Sequence, residues 1–205
     1  MKISATRIYL IALCLFISKL SFAQETDSVK HKWYIPSSIT IQHAGSIGFF
    51  SLGAGYYLNK SHSSTLDISY GYVPAKFGGD LNIIAAKFCW RPFAVKLSDW
   101  ALILPVNPGA FLSYHAGGDY DSSWDDDDYP KGYYWWSTAF RPHITVSTEI
   151  KLDAQKILKT SRIKSISLYS EFNTNELYFV SYFQNMRRLD VNDIFKLGFG
   201  TRIYF

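Results

Sequence analysis

The sequence predicts an all-β protein, a single transmembrane antiparallel up-and-down β-barrel of eight strands. Three observations carry that expectation. The chain starts with an exportable leader; apolar and polar residues then alternate repeatedly with no long apolar run; and the final alternating segment stops on an aromatic residue. A bilayer core of about 30 Å is crossed by a helix of about 20 apolar residues or by a tilted strand of about 9–11. Only helices and closed barrels satisfy all their backbone polar groups there.

The leader comes first. Lys2 and Arg7 precede an apolar run from Ile8 to Ile17, followed by Ser21, Phe22 and Ala23, a small-x-small pattern suited to cleavage before Gln24. The expected organisation is a signal peptide at 1–23, a periplasmic amino-terminal segment at 24–36 and a barrel at 37–205. Cys14 follows Leu13, where a lipoprotein leader carries Gly or Ala, so lipidation is not expected. After cleavage only Cys89 remains, which leaves no internal disulfide to stabilise the exported chain.

The strands follow by parity, because successive side chains point to opposite faces. Ile39 and Ile41 alternate with Ser38, Thr40 and Gln42. After a turn near Gly45, Phe50, Leu52, Ala54, Tyr56 and Leu58 oppose Ser51, Gly53 and Gly55; a polar turn from Asn59 to Ser63 leads to Leu66, Ile68, Tyr70 and Tyr72, opposite Thr65, Asp67, Ser69 and Gly71. Beyond Gly78 and Gly79, Ile84, Ala86, Phe88 and Trp90 oppose Lys87, Cys89 and Arg91. A short turn is expected from Lys96 to Asp99. The fifth strand presents Trp100, Leu102, Leu104, Val106, Ala110, Leu112 and Tyr114 on one face, with Pro105 and Pro108 bending or bulging it.

The sixth strand sets Phe140, Ile144, Val146, Thr148 and Ile150 against Arg141, His143, Thr145, Ser147 and Glu149. The stretch Asp153 to Lys164 connects to the seventh, with Ile166, Leu168 and Phe172 against Ser165, Ser167, Tyr169 and Glu171. In the last strand Phe195, Leu197, Phe199, Ile203 and Phe205 share one parity, and Lys196, Gly198, Gly200, Arg202 and Tyr204 the other. Eight strands put both termini on the periplasmic side and the longest connections, Ala116 to Tyr134 and Thr174 to Asp193, outside. Leu177, Phe179 and Tyr182 read as an extension of the last two strands above the membrane.

The carboxyl-terminal residues carry a resemblance. Gly200, Ile203 and Phe205 match the closing-strand pattern polar-x-Gly-x-x-hydrophobic-x-aromatic of outer-membrane β-barrel proteins, with Gly198 where a polar residue is usual. In that family the pattern is a membrane-assembly signal, read by the barrel-assembly machinery. With the leader and the alternation, the chain resembles the small eight-stranded class that includes OmpA-like and OmpX-like barrels. The resemblance implies residence in an outer membrane, with its lipid and lipopolysaccharide as partners.

Composition narrows the function. A formal charge of +4 with scattered basic residues gives no footprint for nucleic acid. Aromatic residues reach 18 % while mean hydropathy is −0.04, as fits strands with one apolar face. The polar parity carries Lys87, Arg91, Arg141, Lys196 and Arg202 together with Asp67, Glu149 and Glu171, so the expected interior holds charges of both signs. An eight-stranded barrel is just wide enough for side chains to fill it, and a filled polar core is the expectation, with a narrow channel as its alternative.

His143, Ser147 and Glu149 share one strand face and are the residue types of a nucleophilic triad. Barrel enzymes that deacylate lipid A carry His and Ser two residues apart with a Glu orienting the His; here Thr145 occupies the second position. Residues two apart on a strand are separated by about 6.8 Å, so His143 and Ser147 at twice that spacing cannot bond directly. Asp125, Asp126, Asp127 and Asp128 cluster carboxylates that could attract Ca²⁺, but without the spacing of an EF-hand loop. Tyr133, Tyr134, Trp135 and Trp136 read as an interfacial aromatic girdle. No cofactor is expected. The resulting expectation is a non-enzymatic outer-membrane barrel with a structural or surface-interaction role, its ligand unknown, the alternatives being an acyl hydrolase acting on envelope lipids and a narrow, porin-like channel.

Overall fold

The computed structural model describes residues 34–77, 79–117, 139–158, 162–186, 188 and 190–205. The expected leader at 1–23, the acidic cluster Asp125 to Asp128 and the aromatic run Tyr133 to Trp136 lie outside the described residues. Among the described residues nine strands form: β1 (Ser38–Ala44), β2 (Phe50–Tyr57), β3 (Ser64–Val73), β4 (Leu81–Trp90), β5 (Val95–Ser98), β6 (Ala101–Ala116), β7 (Phe140–Asp153), β8 (Ser165–Asn175) and β9 (Lys196–Tyr204). Eight of them close into an antiparallel barrel in the order β1-β2-β3-β4-β6-β7-β8-β9, and β9 pairs with both β8 and β1. Closure leaves no open sheet edge in the ring. The expected all-β, eight-stranded architecture is the one observed.

The ninth strand corrects the sequence reading. Where a turn was expected from Lys96 to Asp99, β5 pairs antiparallel with the first residues of β6, through Val95 and Ile103 and through Lys96 and Leu102. It extends one end of β6 without entering the ring. Lys96 and Asp99 form an exposed ion pair at 2.7 Å within this hairpin, and the hydrogen bond and charge of Lys96 hold the Asp99 carboxyl below its ordinary range.

A second correction concerns β6. Its register against β7 shifts between Leu104 and Asn107, so the pairs Leu104 with Glu149 and Asn107 with Ser147 leave Pro105 and Val106 facing a single residue, Thr148. Thr148 donates its hydroxyl to the Pro105 carbonyl at 2.8 Å, occupying an acceptor that the disrupted ladder leaves over. The bulge reverses parity. Leu102 and Leu104, expected on the outward face, stand opposite inward Lys151 and Glu149, while Val106 beyond the bulge points out. The expected bend at the prolines is therefore real, and its consequence is a face change.

The third correction is a helix. After α1 (Ala154–Leu158), the segment Glu176–Gln184, read as strand extension, forms the helix α2, followed by the short α3 (Val191–Ile194). Asn175 is its cap, and its side chain accepts from the Tyr178 backbone N–H at 2.9 Å. Beyond Asn175, where β8 ends, the segment pairs with no strand among the described residues, and a helix satisfies its backbone internally.

Both termini of the barrel, Ser38 and Tyr204, pair with each other at one end, which also carries the turn after β2. The connections β3 to β4, β6 to β7 and β8 to β9 lie at the opposite, long-loop end, with the turn Ala44 to Phe49. In that turn Ala44 and Gly45 have φ of 61° and 77°, and Gly48 has φ of 131°. A side chain on Gly48 would also start 2.9 Å from the Tyr72 nitrogen, so the turn needs glycine there. The turn folds Ile47 into the barrel against Ala85 and Phe111, a small apolar plug.

The distribution of polarity is inverted relative to a water-soluble domain. Ile68, Ile84, Phe88, Ile144, Leu168 and Phe199 are among the large apolar side chains exposed on the outside, while Asp67, Lys87, Glu149, Glu171 and Arg202 are buried inside.

Candidate functional site

Buried charge must be paired and hydrogen-bonded to persist away from water, and alternation delivers the partners from opposite walls of the barrel. Nearest the terminus end, Arg91 of the β4 edge donates its Nε to Glu149 at 2.9 Å and its Nη1 to Thr65 at 3.0 Å, and the Tyr204 hydroxyl donates to the other Glu149 oxygen at 2.8 Å. Next, Arg202 of β9 binds Asp67 of β3 with two parallel bonds of 2.9 and 2.7 Å. Its guanidinium lies 6.0 Å from the ring centres of Tyr169 and Tyr204.

Further toward the long loops, Lys87 donates to both Glu171 oxygens at 3.0 and 2.8 Å and to Gln42 Oε1 at 3.3 Å. That Gln42 oxygen also accepts from the Tyr169 hydroxyl at 2.8 Å, and Asn173 donates to Glu171 at 3.4 Å. Three strands, β1, β4 and β8, meet in this one network. At the long-loop rim, Arg141 pairs with Glu176 of α2 at 3.0 Å, which ties the helix to the barrel wall.

The charged residues expected inside are buried there with one correction. Lys196 has inward parity but lies at the end of β9, where its side chain is exposed and its ammonium sits 4.9 Å from the Tyr178 ring. The end of a strand escapes the burial that its parity implies.

The three candidate residues on β7 all point inward but are not brought together. His143 stands in the long-loop half, opposite Phe111 and Asn175, whereas Glu149 is committed to Arg91 and Tyr204 at the other end. Ser147 lies between them, paired in register with Asn107 and Glu171.

The serine that does meet His143 comes from the neighbouring strand. Ser113 Oγ lies 3.0 Å from His143 Nε2 and 3.3 Å from His115 Nε2, and His143 stacks on Phe111 at 4.1 Å. Ser113 is 0 % exposed, and His143 Nδ1 has no hydrogen-bond partner among the described residues. Nucleophilic catalysis needs a reachable nucleophile and a base oriented by a third group; Ser113 is buried, and among the described residues no third group orients His143 through Nδ1.

Of the residues expected to form an assembly signal, Gly200 lies under the Tyr169 ring, where a side chain would start 2.4 Å from ring atoms. Ile203 pairs with Ile39 and Ile166 on the outward face, and the Phe205 N–H donates to the Ser37 carbonyl at 3.0 Å. Gly200 and Ile203 belong to β9, the strand that closes the ring, and Phe205 follows its last residue. Sequence reasoning missed Ser113, Gln42, Tyr169 and Ile47, since none belongs to a motif and each acquires its partner only through register or a turn. Among the described residues no group of three or more His, Cys, Asp or Glu is arranged to hold a metal ion.

Among the described residues, two vestibules flank the ion-pair layers. One at the terminus end, of about 340 Å³, is walled by Tyr57, Trp90, Phe93, Leu104 and Tyr204; the other, of about 350 Å³, opens at the long-loop end beside His115 and His143. No family model matches the chain, and no curated protein or solved structure is significantly similar to it.

Proposed function

We propose that the chain is a non-enzymatic outer-membrane β-barrel, exported with cleavage of its leader, with a structural or surface-interaction role and its long loops on the outer side. The observation that carries this reading is the inverted polarity: a closed ring with an apolar outside and a paired ionic inside. An apolar surface encircling a monomer is a liability in water and the required surface in hydrocarbon. Outward Tyr70 and Tyr72, near the long-loop end, hydrogen-bond through their hydroxyls to Asn82 and Asp80, the anchoring expected of rings at a headgroup boundary.

The cross-lumen pairs favour a closed barrel over a conducting one, because the layers of Arg202, Lys87 and their partners fill the middle of a lumen that eight strands leave barely wide enough for side chains. Lipid and lipopolysaccharide are then its solvent and the barrel-assembly machinery its route of insertion. The test is fractionation of cells producing the full chain. The mature protein, starting at Gln24, is expected in the outer membrane with a heat-modifiable gel mobility; recovery as a soluble periplasmic species would end the membrane reading.

A further inference from the structure

The long-loop vestibule has two unlike walls. Phe49 and Phe77 stack at 4.4 Å, nearly parallel at 6°, and continue into Val73 and Ile83 as an apolar side. The other side carries His115, His143, Asn175 and Lys196, and none of the described lining residues is acidic. Lys196 has no carboxylate partner among the described residues, whereas the nearby charge of Arg141 is taken up by Glu176.

His143 adds a second observation. It is 4 % exposed, and its Nδ1 has no hydrogen-bond partner among the described residues. A buried polar atom left unsatisfied is costly and points to a missing partner. When Ser113 donates its hydroxyl proton to His143 Nε2, the neutral ring carries its own proton on Nδ1 and can donate it.

We propose that this vestibule binds a small amphiphilic carboxylate, with its head between Lys196 and the His143 ring and its apolar or aromatic tail against Phe49 and Phe77. The volume of about 350 Å³ lies at the low end of small-molecule sites, about 300–1,000 Å³, and is too small for a whole membrane lipid. The plug of Ile47, Ala85 and Phe111 lies inside the barrel beneath the same turn, so the ligand is held and not conducted. The inference concerns a site inside the barrel mouth and goes beyond the membrane reading without depending on it.

The test uses the full folded chain held in an amphipathic polymer, with folding checked by circular dichroism, and titrates 4-phenylbutyrate against the neutral 4-phenylbutan-1-ol by calorimetry. Saturable binding of one carboxylate per chain is expected, with the alcohol weaker by about tenfold or more, as the loss of one charge-assisted contact implies. Lys196→Gln at the exposed rim should weaken the acid by about tenfold and leave the alcohol unchanged. Phe77→Ala should weaken both probes, His143→Phe should act like Lys196→Gln if it folds, and Asp99→Asn at the far end should change neither. Absence of saturable binding, equal affinity for acid and alcohol, or an unaffected Lys196→Gln overturns the proposal. Because no bilayer is used, such a failure leaves the fractionation result standing.

Discussion

Arg202 grips Asp67 across the barrel through two parallel hydrogen bonds of 2.9 and 2.7 Å, which ties the closing strand to β3, three places round the ring. Both groups are almost wholly buried. Removing one partner of a buried pair leaves the other charge unpaired, at a cost of about 3–5 kcal/mol, whereas replacing both by apolar residues is often neutral. Arg202→Met alone should therefore destabilise the barrel by about that amount, and the double variant Asp67→Leu, Arg202→Met should recover most of the loss. Urea unfolding after refolding into lipid vesicles measures it; additive losses in the double variant would mean that the two residues are not coupled.

The two faces of β7 give a second test. Val146 is 39 % exposed on the outside and Ser147 is buried inside. Val146→Arg should cost about 2–4 kcal/mol in a bilayer, the penalty for arginine on a lipid-facing barrel position near the midplane, while Ser147→Ala should be tolerated. The same two variants compared by unfolding midpoint in vesicles decide it, and a harmless Val146→Arg would contradict a hydrocarbon surrounding.

Ser113, His143 and Glu149 separate packing from catalysis. Ser113→Ala removes the bond that links β6 to His143 and should cost about 1 kcal/mol of stability. Glu149→Gln weakens the site that holds Arg91 and Tyr204, and should cost about 3–5 kcal/mol. Neither should alter the masses of envelope lipids when producing cells are compared with cells lacking the protein. A lipid product that vanishes with Ser113→Ala or Glu149→Gln would restore the acyl-hydrolase alternative.

Gly200 and Phe205 should fail differently although one lies in the closing strand and the other directly after it. Gly200→Val drives a side chain into the Tyr169 ring, overpacking worth about 1–3 kcal/mol, so refolding of purified protein should suffer. Adding Tyr169→Ala should relieve part of that loss. Deleting Phe205 removes little packing, and refolding in vitro should survive while outer-membrane assembly in cells falls. Equal behaviour in both assays would argue against a recognition role for the carboxyl-terminal residue.

The alternation of Ile68, Tyr70 and Tyr72 with Asp67, Ser69 and Gly71 was enough to identify β3 and its faces, and the same holds for β2, β4 and β8. A period of two is a local property, written residue by residue. It also located Lys87, Arg91, Glu149, Glu171 and Arg202 inside. Parity failed where the ladder is interrupted: at Leu102 and Leu104, because a bulge adds a residue and reverses the faces, and at Glu176–Gln184, because a cap and the end of strand pairing favour a helix there.

The sequence by itself determined the number of ring strands, their faces and the presence of both signs of charge inside. Only the tertiary structure decided who meets whom. Arg202 and Asp67 are 135 residues apart, and Ser113 and His143 are 30 apart. Their contacts depend on strand register, on ring closure between β1 and β9 and on the way the turn at Ile47 folds inward. Hydrogen-bond partners are set within a few tenths of an ångström across the lumen, whereas a sequence pattern specifies only the side of the strand on which each residue stands.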